Sequence, residues 1–483
     1  MKVKTILNNL VDTYKNISKP AKASLWFVVC NIINKGIAFI TTPVFTRFLT
    51  QEEFGVVNVY FSWVSIITIF ATLELATGVF NKAMIKYEND KDGYTSVSLT
   101  VASVTTVALF LLYFVSRKYC NPILGIETPL VVLLFIQIFF STPVSLWSIR
   151  KRFEYEYKGI VIVTVLSNLL GTVLNLFLIF SFPEYHIYDR ILGTIIVNVI
   201  INIILIIDIY KKGKKIFDVS YCKYALNYNM PLIPHYLSQQ VLEQSDRIMI
   251  DKFCGSVDVA LFSLSYQVAS IMKIVINAIH ASFMPWTFQS LKEKNYKAIG
   301  QRTFQIEILI GVMCILASLF APEMVLILGG ESYMSAIYIV PAVSMSVLFL
   351  SIYSFFGNIE FYFEKTKFSM IASMIVAVLN IVLNYIFIKK YGFVAAGYTT
   401  LASYIFYAAI HYVFMKFVCR QNNIPNPYNG FLMWGVAIAL TVVAILMSFT
   451  YKYYLLRYVI ILVLVVFIAN FIKKKKNLIF AKK

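Results

Sequence analysis

Residues 46–66 read TRFLTQEEFGVVNVYFSWVSI, and residues 251–271 read DKFCGSVDVALFSLSYQVASI. The two stretches align without a gap at an offset of 205 residues. Phe48/Phe253, Ser65/Ser270 and Ile66/Ile271 are identical, while Arg47/Lys252, Glu53/Asp258 and Phe61/Tyr266 are conservative pairs. In each stretch a short polar turn separates two long apolar runs, so the pair reads as one helical hairpin used twice.

The rest of the chain says what kind of helices these are. Of 483 residues 59% are hydrophobic and only 14% charged, and the mean hydropathy is +0.74. Soluble domains carry about 25% charged residues. A membrane span needs about 20 mostly apolar residues, and about fourteen such runs follow one another, separated by short polar or basic punctuation. The expectation is an all-α polytopic membrane protein. Six runs separate the copies of the hairpin, and an even number preserves orientation, so the repeat is parallel. That predicts two six-helix lobes plus two C-terminal helices, an arrangement of transporters that bind substrate between repeats and expose it alternately. The expected boundaries are an amphipathic N-terminus over 1–22, an N-lobe over 23–210 and a basic linker over 211–224. A C-lobe over 225–418, helices thirteen and fourteen over 429–472 and a basic tail over 473–483 complete the chain.

The basic residues test this layout. With the N-terminus inside, 31 of the 43 Lys and Arg fall on inner segments, nine on outer loops and three inside spans. Cytoplasmic loops carry such an excess, so both termini are expected in the cytoplasm and the net charge of +19 is a topology signal. The loops are too short for a basic nucleic-acid-binding domain. The partner implied is the lipid bilayer, with no nucleic acid. Val3, Ile6, Leu7, Leu10, Val11 and Tyr14 share a helical face ahead of the first span, as in a helix lying on the inner leaflet. The six cysteines are scattered and show no metal-ligand spacing, so neither a disulfide framework nor a metal site is expected.

Ionisable groups at bilayer depth are costly and mark function by default. They concentrate on spans one, two, seven and eight. Asn31, Lys35 and Thr42 share a face of span one, and Tyr266, Ser270, Lys273, Asn277 and His280 form a stripe along span eight. On span seven Glu243, Arg247 and Asp251 recur every fourth residue beside Asp246, a spacing that allows mutual pairing along the helix. The same face continues through Gln240, Gln239 and Tyr236 toward Pro231 and Pro234, which are expected to kink the helix. Glu74 lies on span two. The polar wall over Asn31, Lys35, Gln240, Arg247, Lys273 and Asn277 is the expected substrate site, with Glu74, Glu243, Asp246 and His280 as candidates for ion coupling or gating. No outer loop is long enough for a catalytic domain, and no nucleophile–base pair or phosphate loop is present. The reading is therefore a transporter rather than an enzyme, without a cofactor, driven by an ion gradient or by the membrane potential at about 2.3 kcal/mol per charge per 100 mV.

Two longer stretches carry a resemblance: KASLWFVVCNIINKGIAFITTPVFTRFLTQEEFGVVNVYFSWVSI near the start, and NMPLIPHYLSQQVLEQSDRIMIDKFCGSVDVALFSLSYQVASI after the linker. Together they resemble the Wzx-type bacterial polysaccharide flippases of the multidrug/oligosaccharidyl-lipid/polysaccharide exporter superfamily. The resemblance implies movement of an undecaprenyl-pyrophosphate-linked oligosaccharide from the inner to the outer leaflet, with sodium or a proton as coupling ion. It also implies cooperation with polysaccharide polymerase and chain-length machinery. The cationic cavity of that family fits Lys35, Arg247 and Lys273 here. Lysine is a point charge where arginine grips phosphate with two hydrogen bonds, which leaves the anion contacts open. Two rivals stand beside this reading. A cation-coupled drug or metabolite exporter would use Glu74, Glu243 and Asp246, but Lys35 and Lys273 would repel its substrate. A membrane glycosyltransferase or polymerase would need the outer domain that the loops lack.

Overall fold

The computed structural model describes the backbone of residues 18–479 and the side chains of residues 18–466, Ala21 excepted. The surface helix expected over 1–22 and the basic tail thus lie largely outside the described residues. Among the described residues eight helices precede the middle of the chain: α1 (Lys19–Phe48), α2 (Gln51–Thr72), α3 (Phe80–Lys86), α4 (Lys91–Leu124), α5 (Thr128–Phe153), α6 (Tyr157–Ser181), α7 (His186–Gly213) and α8 (Val219–Asn229). Nine follow: α9 (Ile233–Cys254), α10 (Ser256–Lys292), α11 (Tyr296–Leu319), α12 (Ala321–Gly329), α13 (Val340–Tyr362), α14 (Thr366–Tyr391), α15 (Val394–Gln421), α16 (Gly430–Met447) and α17 (Tyr454–Ile479).

Twelve of the helices over the described residues are long and apolar enough to cross a membrane, against the fourteen runs expected. The two that differ are at the expected places. Helix α9 is too polar, and of α17 the side chains are described only to Val466, over which its stretch Tyr454–Val466 is apolar. The seventh run, expected as one helix over 225–250, is divided: Met230–Leu232 forms a 3₁₀ turn between α8 and α9, with Pro231 inside it. The second run, expected over 56–80, also stops early. Helix α2 ends at Thr72 and the chain resumes as α3 at Phe80.

The sequence repeat is visible in the backbone. Helix α2 begins at Gln51 and α10 at Ser256, the same 205-residue offset that aligns the two hairpins. The chain divides into two compact units: the first runs to Leu49 and then over Tyr60–Leu237, the second takes Thr50–Val59 and everything from Ser238. One of the three cuts falls in the turn between α1 and α2 and the other two inside helices α2 and α9, so the 211–224 linker belongs with the first unit.

In the first unit α7 is the hub, packing on α4, α5 and α6, while α1 lies on α6. Near the basic end, Phe80, Met84, Tyr94, Val97, Leu146 and Ile209 make a closed apolar core. Asp90 ties the linker to it, capping Gly93 and accepting from the Lys215 ammonium at 2.5 Å and the Tyr221 hydroxyl at 2.7 Å. In the second unit α13 is the pillar, buried along most of its length, packed by α10, α11, α14, α15 and α16. Outer helix faces carry bare apolar residues such as Val104, Val115, Ile204, Val378 and Leu462. An apolar surface this extensive belongs in lipid.

Buried asparagines repair the helix interruptions. Pro143 lies inside α5, and the nearby Val144 N–H donates to Asn202 Oδ1 on α7 at 2.8 Å. Asn175 on α6 accepts from the Thr194 N–H at 3.0 Å and donates to its hydroxyl at 2.9 Å. Asn229, fully buried at the end of α8, spans the break after α2: it donates to the Leu73 carbonyl at 2.8 Å and accepts from the Val79 N–H at 2.9 Å. In hydrocarbon such groups must be satisfied within the protein.

Two substitutions test this packing. Removing a partner from a buried hydrogen bond costs about 1–3 kcal/mol, so Asn229→Ala is expected to lower the thermal unfolding midpoint of the purified protein clearly. Gly55→Ala acts at another point, because an added Cβ would lie 1.8 Å from the Ser256 carbonyl where α2 and α10 start side by side. Its midpoint also falls; an unchanged midpoint in scanning fluorimetry contradicts that close approach.

Candidate functional site

The first unit contains a cavity of about 460 Å³. Its walls are α2, α5, α6 and α7, and most of the lining is hydroxyl or amide: Thr68 and Thr72, Ser141, Ser145 and Ser148, Ser167, Asn168 and Asn198. Two charged side chains reach it, Glu74 and Arg152. Glu74 is not on a continuous helix, as the sequence suggested, but in the break after α2. Leu73 and Glu74 both adopt left-handed backbone, with φ of 51° and 48°. Side-chain-bearing residues in that region cost about 1–3 kcal/mol each and persist only where the surroundings enforce them. Asn229 provides the enforcement, and the Thr77 hydroxyl donates to the Glu74 carboxylate. Arg152 sits in the last turn of α5 with its guanidinium 4.8 Å from the Phe27 ring centroid.

The second unit gathers the span-seven and span-eight charges around one tyrosine. Lys273 Nζ is 2.7 Å from the Tyr266 hydroxyl and 3.5 Å from Glu243 Oε1. Arg247 lies over the same Tyr266 ring at 4.8 Å. Its guanidinium donates to the Ser263 hydroxyl at 3.1 Å and the Glu243 carbonyl at 3.0 Å. The expected pairing of Glu243, Arg247 and Asp251 along α9 does not form. Glu243 turns across to Lys273 on α10, Asp251 accepts from the Ser256 hydroxyl at 2.6 Å, and Asp246 points elsewhere. An α-helix turns 100° per residue, so Asp246 and Arg247 face different neighbours.

Asp246 is 1% exposed and has no cation partner on its carboxylate. Its oxygens accept from the Asn384 amide of α14 at 2.5 Å and the Thr400 hydroxyl of α15 at 2.7 Å. The network closes on itself: Thr399 donates to Asn384 Oδ1. Asn380 Oδ1 accepts from Ser245 at 3.0 Å and from Asn384 at 3.2 Å. The result is one carboxylate among amide and hydroxyl oxygens at the meeting point of α9, α14 and α15. No cluster of three or more His, Cys, Asp or Glu suited to a metal occurs among the described residues.

The remaining sequence candidates are dispersed. Asn31 and Lys35 are exposed on α1, and Asn34 between them accepts from Asn168 at 2.9 Å. Asn277 is exposed on α10 and Gln240 is half-buried on α9. His280 shares a 2.9 Å hydrogen bond with Ser351 of α13. Several residues were missed. Asn380 and Asn384 stand four apart in the apolar α14, a signal the sequence offered. Glu360 and His411, both fully buried, pair at 2.9 Å between α13 and α15, and only tertiary structure brings them together.

Comparison with known proteins adds the following. A family model described as "Polysaccharide biosynthesis protein" matches residues 21–291, and the MatE model matches residues 231–386. An uncharacterized membrane protein of Haemophilus influenzae is 24% identical over 360 residues, 72% of this chain and 85% of its own length. The capsular polysaccharide biosynthesis protein CapF of Staphylococcus aureus is 22% identical over 408 residues, 81% of this chain and 98% of its own length. The structure of the lipid II flippase MurJ in an inward closed conformation superposes with a TM-score of 0.71 at 14% identity, covering 93% of this chain and 99% of that one.

The Asp246 network makes its own prediction. Asn384→Ala strands one carboxylate oxygen and is expected to destabilise the protein by about 1–3 kcal/mol. The double variant Asp246→Ala with Asn384→Ala loses less than the sum of the singles. Additive midpoint shifts would show that the two side chains do not act together.

Proposed function

The chain belongs to the polysaccharide biosynthesis protein family, within the multidrug/oligosaccharidyl-lipid/polysaccharide exporter superfamily, and from that premise we propose that it is a lipid-linked oligosaccharide flippase. Its substrate is an undecaprenyl-pyrophosphate-linked oligosaccharide carried from the inner to the outer leaflet of a bacterial cytoplasmic membrane. The termini lie in the cytoplasm, a reading supported by the excess of Lys and Arg on alternate loops. The observation that carries the reading is the cluster of Arg247 and Lys273 about Tyr266 on two transmembrane-region helices. Two cations with a single exposed carboxylate beside them, Glu243, leave net positive charge for an anion. Together they supply the attraction that a pyrophosphate needs when it leaves water.

The work of alternation comes from a coupling ion, sodium or a proton, seated at Asp246. A carboxylate there joins helices α9, α14 and α15. An arriving cation removes its net charge and lets the Thr399 and Thr400 hydroxyls turn their lone pairs inward. Binding that favours one arrangement of these helices shifts the population of states by its differential affinity. The polyprenyl tail stays in lipid while the sugar chain passes through the polar interior.

Both parts are testable. In cells deleted for their own flippase, the wild-type protein restores surface polysaccharide, Lys273→Ala and Arg247→Ala lose it while expressing normally, and Lys273→Arg keeps a measurable share. Undiminished display by both alanine variants contradicts the anion site. Replacing choline chloride with sodium chloride, or lowering the pH, raises the unfolding midpoint of the wild type, and Asp246→Asn abolishes whichever shift is seen. A shift that survives in Asp246→Asn removes Asp246 as the seat.

A further inference from the structure

We propose that the cavity inside the first unit is a binding subsite for a phosphorylated sugar, with Arg152 taking the phosphate and Glu74 accepting sugar hydroxyls. This rests on the flippase reading, which it deepens by assigning the head group of the lipid-linked substrate a docking place apart from the Arg247 and Lys273 cluster.

The chemistry of the wall points to this ligand class. Beyond its two charged residues the polar lining is neutral hydroxyl and amide, groups that both donate and accept and so match a ring bearing several hydroxyls. No aromatic side chain lines the cavity, so a flat aromatic cation has nothing to stack on. The volume of about 460 Å³ falls in the range of small-molecule sites.

Arg152 is set apart from its neighbours. Arg150 pairs with Asp92 at 3.1 Å and Glu154 at 2.7 Å, and Lys151 pairs with Glu156 at 2.6 Å. Arg152 has no carboxylate partner among the described residues. Its guanidinium rests on the Phe27 ring, which orients the fork while leaving its N–H groups for an acceptor. A planar, stacked guanidinium matches phosphate with two hydrogen bonds. At the other charged wall, Leu73 and Glu74 hold left-handed backbone under the Asn229 clamp. Gly78 permits that clamp, since a Cβ there would meet Asn229 Oδ1 at 2.4 Å. Strain enforced by a fully buried clamp to present one carboxylate into a polar cavity is the mark of a binding position. The cavity lies toward the basic, cytoplasmic end of α2 and α5, the side on which a lipid-linked sugar is made available.

The test uses the full-length protein in lipid nanodiscs, titrated with N-acetylglucosamine 1-phosphate, N-acetylglucosamine and inorganic phosphate. The wild type binds the sugar phosphate at least about tenfold more tightly than either fragment, a margin of about 1.4 kcal/mol. Arg152→Ala loses that margin and Arg152→Lys keeps part of it. Glu74→Gln weakens the sugar phosphate while leaving inorganic phosphate unchanged. Unfolding midpoints equal to wild type confirm that each variant is folded. No binding by the wild type at millimolar probe, or equal affinities in Arg152→Ala and Glu74→Gln, overturns the subsite. Undecaprenyl-pyrophosphate-linked N-acetylglucosamine should displace the free probe; failure to displace makes the ligand a free sugar phosphate and overturns the lipid-linked assignment. Surface display separates this from the parent reading. Display by the wild type with equal display by Arg152→Ala and Glu74→Gln overturns the subsite alone, whereas no display by the wild type overturns the flippase reading itself.

Discussion

A helix that stops inside hydrocarbon leaves backbone groups that water cannot reach, and much of this structure follows from how those groups are satisfied. The break after α2 is the clearest case. Asn229 answers both sides of it with one amide, the Leu73 carbonyl through its nitrogen and the Val79 N–H through its oxygen. Thr105 and Thr106 add hydroxyls to the Ala71 carbonyl two residues earlier. With the backbone so held, Glu74 is placed beside a polar cavity. Asn202 does the corresponding service near Pro143 of α5, on a helix that lines the same cavity. The polar interior of the first unit thus depends on interruptions, and the interruptions depend on buried asparagine.

The second unit handles the same cost with charge. Its polar groups are arranged in two separate settings on neighbouring faces of α9. Asp246 is enclosed by amide and hydroxyl donors, and that closure makes a buried carboxylate tolerable. Arg247 and Lys273 share an aromatic ring and one carboxylate, and remain accessible enough to meet a ligand. The adjacent residues 246 and 247 meet different neighbours because one step along a helix turns the side chain by about 100°.

The architecture was legible because hydropathy and periodicity are strong signals: membrane class, most spans and the repeat all follow from residues such as those in 46–66 and 251–271. The helix starts at Gln51 and Ser256 keep the offset that three identities suggested. The break after Thr72 was not legible, since its residues, LELATG, carry no proline and Gly78 gains its meaning only from the Asn229 side chain packed against it; the instruction for the turn lies in Asn229, more than 150 residues away. The same distance hid the Asp246 network, whose partners Asn384 and Thr400 are on other helices. Span-seven charges were recognised as special, but sequence spacing assigned them to one another. Local pairing is the only geometry a single helix offers, whereas Glu243 finds Lys273 through tertiary packing.

The central claim is that this chain carries a pyrophosphate-linked saccharide across a bilayer. The direct measurement is translocation in proteoliposomes loaded with undecaprenyl-pyrophosphate-linked oligosaccharide, read as the fraction of sugar exposed to an impermeant lectin or glycosidase added outside. The account predicts that the wild type makes the inner-leaflet pool accessible over time and that Lys273→Ala liposomes expose only the outer-leaflet fraction. Equal exposure in protein-free and wild-type liposomes would contradict it.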